Sequence, residues 1–374
     1  MKHIKNIITL AAIFLLILQS NAQQLPGTWP ELDKPPPYDQ KFNGLVDFTK
    51  VPSAPVKNSA DDCAQANNYC DWSCTGCTRD SDIVECPNKG DWGLSFDDGP
   101  SEYTDSVLDY LASQNIRVTF FVVGSRVYEN PGILLKAVQA GHQIGVHTWS
   151  HTPLTTQSNE AIVAEMQWTA EAIKAAVGVT PTYMRPPYGD FDDRVRQIVI
   201  QLGYKPTIWD RDTNDWLSDQ NPSFDLDWVE GNFSQWVKEP STTGHISLEH
   251  DLYKQTAAQA PKVVPIVKAA GYNIQQIAVC RGDDQPYLED VKLNSTIGDN
   301  STSFTGLSTS QTATDGGSLE TGINSAGDVP TFTNTRVAST SIPHVSNAKT
   351  NLPFSLLIII LINSYVISCT VYMH

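Results

Sequence analysis

Basic residues are scarce in this sequence. Its 374 residues include 25 Lys and Arg against 41 Asp and Glu, which gives a formal net charge of −16. A surface of that sign repels phosphate backbones and anionic lipid headgroups, which argues against nucleic acid or an anionic membrane surface as a partner. Hydrophobic residues make up 40% of the chain, which is enough for one large globular domain with appendages.

Charge is also missing after the hydrophobic run at the carboxyl terminus. Residues 352–372 are apolar, but no Lys or Arg follows them as it would follow a stop-transfer helix. Small residues before the run favour a GPI-attachment signal at 348–374, removed during processing, over a true transmembrane anchor. Residues 1–22 have a basic start, an apolar run and a small-residue ending, which indicates a secretory signal peptide. We therefore expect a secreted, GPI-anchored protein at the cell surface, on the plasma membrane or the cell wall.

Cysteine is infrequent and unevenly placed. Of seven cysteines, Cys369 lies in the tail that the GPI signal would remove, which leaves six in the mature protein. Cys74 and Cys77 have the spacing of half a zinc knuckle or of a redox pair. An oxidising compartment and the lack of a second pair at the right spacing favour structural disulfides instead.

Composition divides the mature chain into three parts. Residues 23–86 begin with a Pro-rich stretch, expected to be extended, and end with five cysteines, expected to form a stapled cap. Residues 87–283 carry the pattern of a folded domain. Residues 284–347 become rich in Ser, Thr, Asn and Gly, which predicts a disordered, O-glycosylated stalk. N-glycosylation is predicted at the Asn-x-Ser/Thr sites Asn232, Asn294 and Asn300.

Short apolar runs alternate with helical stretches about seven times in the central part. Such alternation predicts parallel strands with right-handed crossovers, and hence a sheet or barrel of the (β/α) kind. Chemistry in such barrels collects at the carboxyl ends of the strands. The predicted strands are 92–96, 118–123, 143–146, 182–185, 205–209, 245–249 and 273–277, and the predicted helices include 103–113, 133–140, 161–176, 194–202 and 258–270.

Two adjacent acids, Asp97 and Asp98, follow the first predicted strand and precede a Gly-Pro turn. Neighbouring carboxylates raise each other's pKa unless a cation lies beside them. A metal ion would relieve the repulsion by taking one acid as ligand and leaving the other as a base. The alternative is a plain solvated turn.

A histidine pair, His147 and His151, follows the third predicted strand. Histidines at this spacing can meet one ion from one face of a helical turn, although such pairs are as often ordinary surface or core residues. With Asp98 they form a set of two histidines and one carboxylate that leaves positions open for water and substrate. Catalytic zinc needs this arrangement.

Five segments in this order resemble the motifs of the NodB-homology polysaccharide deacetylases, carbohydrate esterase family four. The resemblance covers about residues 90–280, and the five motifs together are far more specific than any one alone. Ser95 stands where the family usually has Thr, a conservative departure. The segments are 95–100 (Ser-Phe-Asp-Asp-Gly-Pro), 147–151 (His-Thr-Trp-Ser-His), 185–188 (Arg-Pro-Pro-Tyr), 212–216 (Asp-Thr-Asn-Asp-Trp) and 248–250 (Leu-Glu-His).

The resemblance implies a deformed (β/α) barrel and a metal-dependent hydrolase. Asp98, His147 and His151 would bind one divalent ion, zinc first, with cobalt or another divalent ion as alternatives. Asp97 would be the general base that takes the proton of the attacking water. His250 would be the general acid, needed because an amide nitrogen leaves poorly unless it is protonated.

Further roles carry over by position. Arg185 would orient the base, the alternative being a surface arginine before a Pro-Pro turn. Asp215 would orient His250, with Asp212 close enough in sequence to compete. The backbone N–H of Tyr188 would help to hold the oxyanion.

The remaining site predictions concern the walls of the cleft and two other histidines. Trp216 and Leu248 resemble the apolar walls against the acetyl methyl group, although a plain core role is equally consistent for Trp216. Trp149 is expected at the edge of the sugar cleft. His142 and His245 match no motif and are interpreted as structural.

The family's fungal members imply a disulfide between Cys86 and Cys280. Closing so long a loop would stabilise the fold by roughly 4 to 5 kcal/mol in the chain-entropy model. The other four cysteines would then pair among themselves in one of three ways that the sequence leaves open. They are Cys63, Cys70, Cys74 and Cys77.

The family's substrates include chitin, peptidoglycan and acetylated xylan. A GPI signal implies a eukaryote, and the second and fifth motifs look like those of the fungal members that act on chitin. The resemblance thus implies a protein that hydrolyses the N-acetyl groups of chitin or chitin oligomers in the cell wall, and we expect it to be a monomer. The alternatives are an acetylxylan esterase or other carbohydrate de-O-acetylase, and a chitin-binding adhesin without activity.

Overall fold

A computed structural model of the protein describes residues 25–64, 66–221 and 223–293. The predicted signal peptide, GPI signal and most of the predicted stalk lie outside these residues. So do Asn294, Asn300 and Cys369. Within the described part, no helix is long and apolar enough to cross a membrane. Asn232 lies in a helix with its side chain half-buried, and its glycosylation stays a prediction.

A parallel sheet forms the centre of the fold. Its hydrogen-bonded order is β5-β4-β3-β2-β1-β7-β6. β8 pairs with the first residues of β1, on the same edge where β2 pairs with its last residues. All the ladders between these strands are parallel, as the alternation of strands and helices predicts. The strands of the described residues are β1 (Asp91–Asp97), β2 (Thr119–Val122), β3 (Gln143–Val146), β4 (Tyr183–Met184), β5 (Lys205–Pro206), β6 (Arg211–Asp212), β7 (His245–His250) and β8 (Asn273–Gln275).

One stretch of chain, residues 205–212, completes the barrel. Its first half, β5, pairs with β4, and its second half, β6, pairs with β7. The ring of strands is therefore closed by the two ends of one segment and not by a continuous ladder. This is the deformed (β/α) barrel that the sequence analysis predicts, and β6 is a strand that it did not identify.

Helices surround the sheet. The five predicted helices are present within a few residues of their predicted bounds. Six further helices of the described residues were not named in advance, and the longest two are Gly124–Glu129 and Asp227–Trp236. The α-helices of the described residues are α1 (Trp72–Thr75), α2 (Thr104–Gln114), α3 (Gly124–Glu129), α4 (Pro131–Gln139), α5 (Asn159–Val177), α6 (Asp193–Gln201), α7 (Leu217–Gln220), α8 (Asp227–Trp236), α9 (Lys254–Ala257), α10 (Ala260–Ala269) and α11 (Ile277–Cys280).

The middle strands are buried on both faces, as parallel strands covered by helices must be. Every residue of β7 and all but the first of β1 are buried. The long helix α5 begins at the cap of Ser158, whose hydroxyl accepts a hydrogen bond from the N–H of Ala161, and ends at Gly178 in a left-handed conformation. Because the strands are held on both sides, their carboxyl ends form a fixed platform.

The amino-terminal extension packs on the domain and is not simply extended. Leu25, Phe42 and Val46 are buried in the same core as the barrel residues, and short 3₁₀ turns interrupt the Pro-rich segment. Trp29 lies parallel to Trp149 with ring centroids 6.2 Å apart. The extension is therefore part of the folded unit.

Three disulfides are present among the described residues. Cys86 pairs with Cys280 across 194 residues, which joins the start and the end of the barrel. In the cap, where the sequence left the pairing of four cysteines undecided, Cys63 pairs with Cys74 and Cys70 pairs with Cys77.

Candidate active site

The acidic turn begins where β1 ends. Asp97 is the last residue of the strand, and Asp98 follows in a left-handed conformation with φ 79°. A Cβ at Gly99 would lie 2.6 Å from both carboxylate oxygens of Asp251, so any other residue there would have to displace this buried carboxylate. This turn directs the two neighbouring carboxylates to different partners.

Asp98, His147 and His151 converge at the carboxyl ends of β1 and β3. Oδ1 of Asp98 lies 3.3 Å from Nε2 of His147 and 3.1 Å from Nε2 of His151. One ligand atom from each residue lies within 4.8 Å of the others, which is close enough to share a metal ion. The sequence prediction that these three residues meet agrees with this geometry.

The chemistry of these three residues fits a divalent metal. Nδ1 of His147 lies 2.7 Å from the carbonyl oxygen of Arg185, which can only accept a hydrogen bond, so Nδ1 carries a proton and Nε2 is the ring atom turned towards Asp98. Oδ1 of Asp98 is buried and accepts no hydrogen bond from the described residues. A buried carboxylate oxygen with two imidazole nitrogens within 3.3 Å is a donor set that suits a divalent cation.

Asp97 is held by a buried arginine. Nη1 of Arg185 donates to Oδ1 of Asp97 and to the hydroxyl of Ser95, each at 2.8 Å, and Nη2 donates to the carbonyl of Ile208 at 3.1 Å. Burial lowers the pKa of Arg185, which the Asp97 carboxylate partly offsets. Arg185 is completely buried, which excludes the alternative of a surface arginine.

The second oxygen of Asp97 points to the metal-binding group. Oδ2 lies 3.8 Å from Nε2 of His147. The carboxylate therefore has one oxygen fixed by the guanidinium and the other beside the three candidate ligands.

His250 pairs with Asp215 and not with Asp212. Nδ1 of His250 lies 2.6 Å from Oδ1 of Asp215, and its backbone N–H donates to Oδ2 at 3.0 Å. Asp212 instead accepts from Nε1 of Trp209 and from the N–H of Asn214. Burial disfavours the imidazolium, but the carboxylates, Asp215 first, outweigh it and raise the pKa of His250 to about 10. His250 is therefore a protonated donor at neutral pH.

A cleft of about 620 Å³ contains the metal-binding group, Asp97 and His250. Tyr188, Trp216 and Leu248 line it, as the sequence analysis predicts. Tyr188 has φ 60° and brings its hydroxyl to 3.1 Å from Nδ1 of His151.

Trp149 is not at the edge of the cleft, so this prediction is wrong. Its side chain is fully buried, its ring is covered by Trp29, and its Nε1 donates to the carbonyl of Glu31 at 2.9 Å. Trp29 and Glu31 of the amino-terminal extension contact Trp149, where the sequence analysis expected the edge of the sugar cleft. His142 and His245 lie outside the cleft lining, in keeping with a structural role.

Several residues of the site were not identified from the sequence. The carboxylate of Glu165, in α5, accepts hydrogen bonds from the N–H groups of Trp149 and Ser150 and from the Ser150 hydroxyl. It thereby fixes the loop between the two histidines. Tyr253 and Asp33 line the cleft. Tyr253 follows the fifth motif closely and could have been inferred from that position, whereas no sequence signal marks Asp33.

A family model described as polysaccharide deacetylase matches residues 85–207. It includes the turn of Asp97, the histidine pair and Arg185, and it ends before Asp215 and His250. The chitin deacetylase of Amylomyces rouxii is 32% identical over 309 residues, which span 76% of this chain and 72% of that protein. The chain belongs to the polysaccharide deacetylase family.

Two further similarities bear on the class of protein. Chitin deacetylase 1 of Cryptococcus neoformans is 44% identical over 285 residues, which span 70% of this chain and 60% of that relative. The solved chitin deacetylase of the fungal pathogen Colletotrichum lindemuthianum superposes with a TM-score of 0.52 at 28% identity, covering 55% of this chain and 94% of the other. The chain thus spans less than two thirds of the length of the Cryptococcus relative.

Proposed function

We propose that this protein hydrolyses the N-acetyl groups of chitin N-acetylglucosamine units, giving chitosan and acetate, with a divalent metal ion. One observation carries the proposal. Asp97 lies beside Asp98, His147 and His151 without being needed as a ligand, in the same cleft as the protonated His250. A base, an acid and a metal-binding group in one cleft are the parts that amide hydrolysis requires.

Asp98, His147 and His151 would hold the metal, with zinc preferred for two imidazoles and one carboxylate. When bound there, zinc supplies a water of lowered pKa and a Lewis acid for the acetamide carbonyl. The backbone N–H of Tyr188 assists in holding the oxyanion.

Asp97 accepts the proton of the attacking water. Arg185 keeps one Asp97 oxygen fixed at 2.8 Å, so the other oxygen has a single orientation towards the reacting centre. The new bond joins the water oxygen to the acetamide carbon.

His250 donates the proton that lets the amine leave. Asp215 holds the imidazole ring through Nδ1, so the proton on Nε2 faces the cleft. The C–N bond then breaks with its electron pair on nitrogen, and the sugar departs as an amine. Trp216 and Leu248 form the apolar walls for the acetyl methyl group.

Chitin as the substrate rests on the relatives, which are chitin deacetylases of fungi. The protein acts as a monomer at the cell surface, secreted through residues 1–22 and held by a GPI anchor attached when 348–374 is removed. Residues 87–283 form the catalytic domain after the extension 23–86. The next residues still pack on that domain, since Tyr287 is buried and its hydroxyl accepts from the N–H of Ile144, so the stalk that separates the domain from the membrane begins later than residue 284.

The test is acetate release by the secreted protein, measured side by side on chitin oligomers and acetylated xylan. We expect release from chitin oligomers that stops on chelation and returns with zinc. Asp97→Asn should bind zinc and lack activity. Release from xylan alone would identify an esterase, and oligomer binding with no release from either polymer would identify an adhesin. Activity that survives exhaustive chelation would refute the metal mechanism.

A further inference from the structure

Part of the cleft lining has no role in the reaction above. It includes Tyr253, Arg126 and Asp33. A volume of about 620 Å³ lies in the range of sites that enclose drug-sized ligands, more than the acetyl group and its own sugar ring require.

Tyr253 presents an exposed aromatic ring in this part of the cleft. Tyr253 is 39% exposed, and it is one of eight large hydrophobic side chains that are exposed among the described residues. Its backbone is fixed, because its carbonyl accepts hydrogen bonds from the N–H of Ala257 and the hydroxyl of Thr256. An aromatic side chain on a fixed backbone has few rotatable bonds, so it loses little conformational entropy when it binds a flat apolar surface.

Arg126 and Asp33 supply polar groups to the lining of the same cleft. Nη2 of Arg126 lies 3.2 Å from Oδ1 of Asp33, which also accepts from the hydroxyl of Ser125 at 3.1 Å. Both side chains keep exposed area, 30% for Arg126 and 54% for Asp33. Donor and acceptor atoms beside an aromatic ring are the combination that a pyranose recognises, because its C–H face is apolar and its hydroxyls are polar.

The amino-terminal extension holds Asp33 in this position. Asp33 has φ 56°, a left-handed conformation in a turn. The residues before Asp33 are fixed on the domain, since Trp29 stacks on Trp149 and the carbonyl of Glu31 accepts a hydrogen bond from Nε1 of Trp149. The position of Asp33 in the cleft lining is therefore preorganised, and the extension forms one wall of the cleft.

We infer that Tyr253, Arg126 and Asp33 form a subsite for a neighbouring hexosamine unit of the polymer, with the sugar ring stacked on Tyr253. The inference rests on the proposed function, because it takes the polymer of that proposal as its ligand. It assigns to the extension a role in choosing an oligomer over a single sugar.

The experiment measures binding separately from hydrolysis. Zinc-loaded Asp97→Asn is titrated calorimetrically with the chitin tetramer and with N-acetylglucosamine. Tyr253→Ala and Asp33→Ala are added to this background, with Tyr253→Phe to keep the ring and Trp228→Ala as the control. Trp228 is 58% exposed and lies outside the cleft lining.

We expect Tyr253→Ala and Asp33→Ala each to weaken tetramer binding roughly five- to tenfold. Binding of N-acetylglucosamine should change less than twofold, which also shows that the variants are folded. Tyr253→Phe and Trp228→Ala should match the parent. Equal tetramer affinity in the parent and in Tyr253→Ala would overturn the inference, and so would a parent that binds no tetramer. If tetramer binding depends on Tyr253 but the protein with Asp97 intact never releases acetate, the subsite is supported and the proposed reaction is refuted.

Discussion

Replacing Asp215 by Asn should move the alkaline limit of activity. The carboxylate of Asp215 lies 2.6 Å from Nδ1 of His250 in a buried position, and the pKa of His250 is about 10. A charge pair about 4 Å apart at an effective dielectric constant of about 20 is worth about 4 kcal/mol. That energy corresponds to a shift of about three pKa units.

Asp215→Asn keeps the shape of the side chain and removes its charge, so the pKa of His250 should fall from about 10 to about 7. His250 would then be about one-tenth protonated at pH 8, whereas the parent would be almost fully protonated. Since the acid must carry a proton, kcat/KM at pH 8 should fall about tenfold more than at pH 6.

The assay combines an NMR titration of the His250 ring with the pH profile of kcat/KM on chitin oligomers. Asp212→Asn is the matched control, because Asp212 contacts Trp209 and Asn214 instead of His250. Its profile should keep the parent's alkaline limb. An Asp215→Asn protein in which His250 still titrates above pH 9 would refute the assignment of Asp215.

Three further predictions concern the supports of the site. Glu165→Ala should weaken zinc binding about 10- to 100-fold in a chelator competition, because the loop between the two histidines loses its acceptor; unchanged affinity would remove this positioning role. Arg185→Ala should lower the free energy of unfolding by about 3–5 kcal/mol at pH 7, since it removes the ion-pair partner of the buried Asp97 carboxylate; a urea titration showing a loss under 1 kcal/mol would contradict this. Replacing Cys86 and Cys280 together by Ser should cost about 5 kcal/mol by the chain-entropy relation, and thermal unfolding indistinguishable from the parent would contradict it.

The sequence determined the features that depend on neighbouring residues. The turn that ends β1 and the histidine pair after β3 are short patterns whose geometry follows from local backbone preferences. The alternation of strands and helices in turn determined that these patterns meet at one end of a parallel barrel. Asp97, Asp98 and His147 could therefore be brought together in advance.

Only the tertiary structure decided between candidates that are similar in sequence but differ in packing. It selected Asp215 over Asp212 for His250, paired the cap cysteines, and covered Trp149 with Trp29. Each choice depends on contacts between distant parts of the chain, such as that between Glu31 and Trp149, 118 residues apart. Such contacts follow from the packing of the whole core, and no local pattern of residues encodes them.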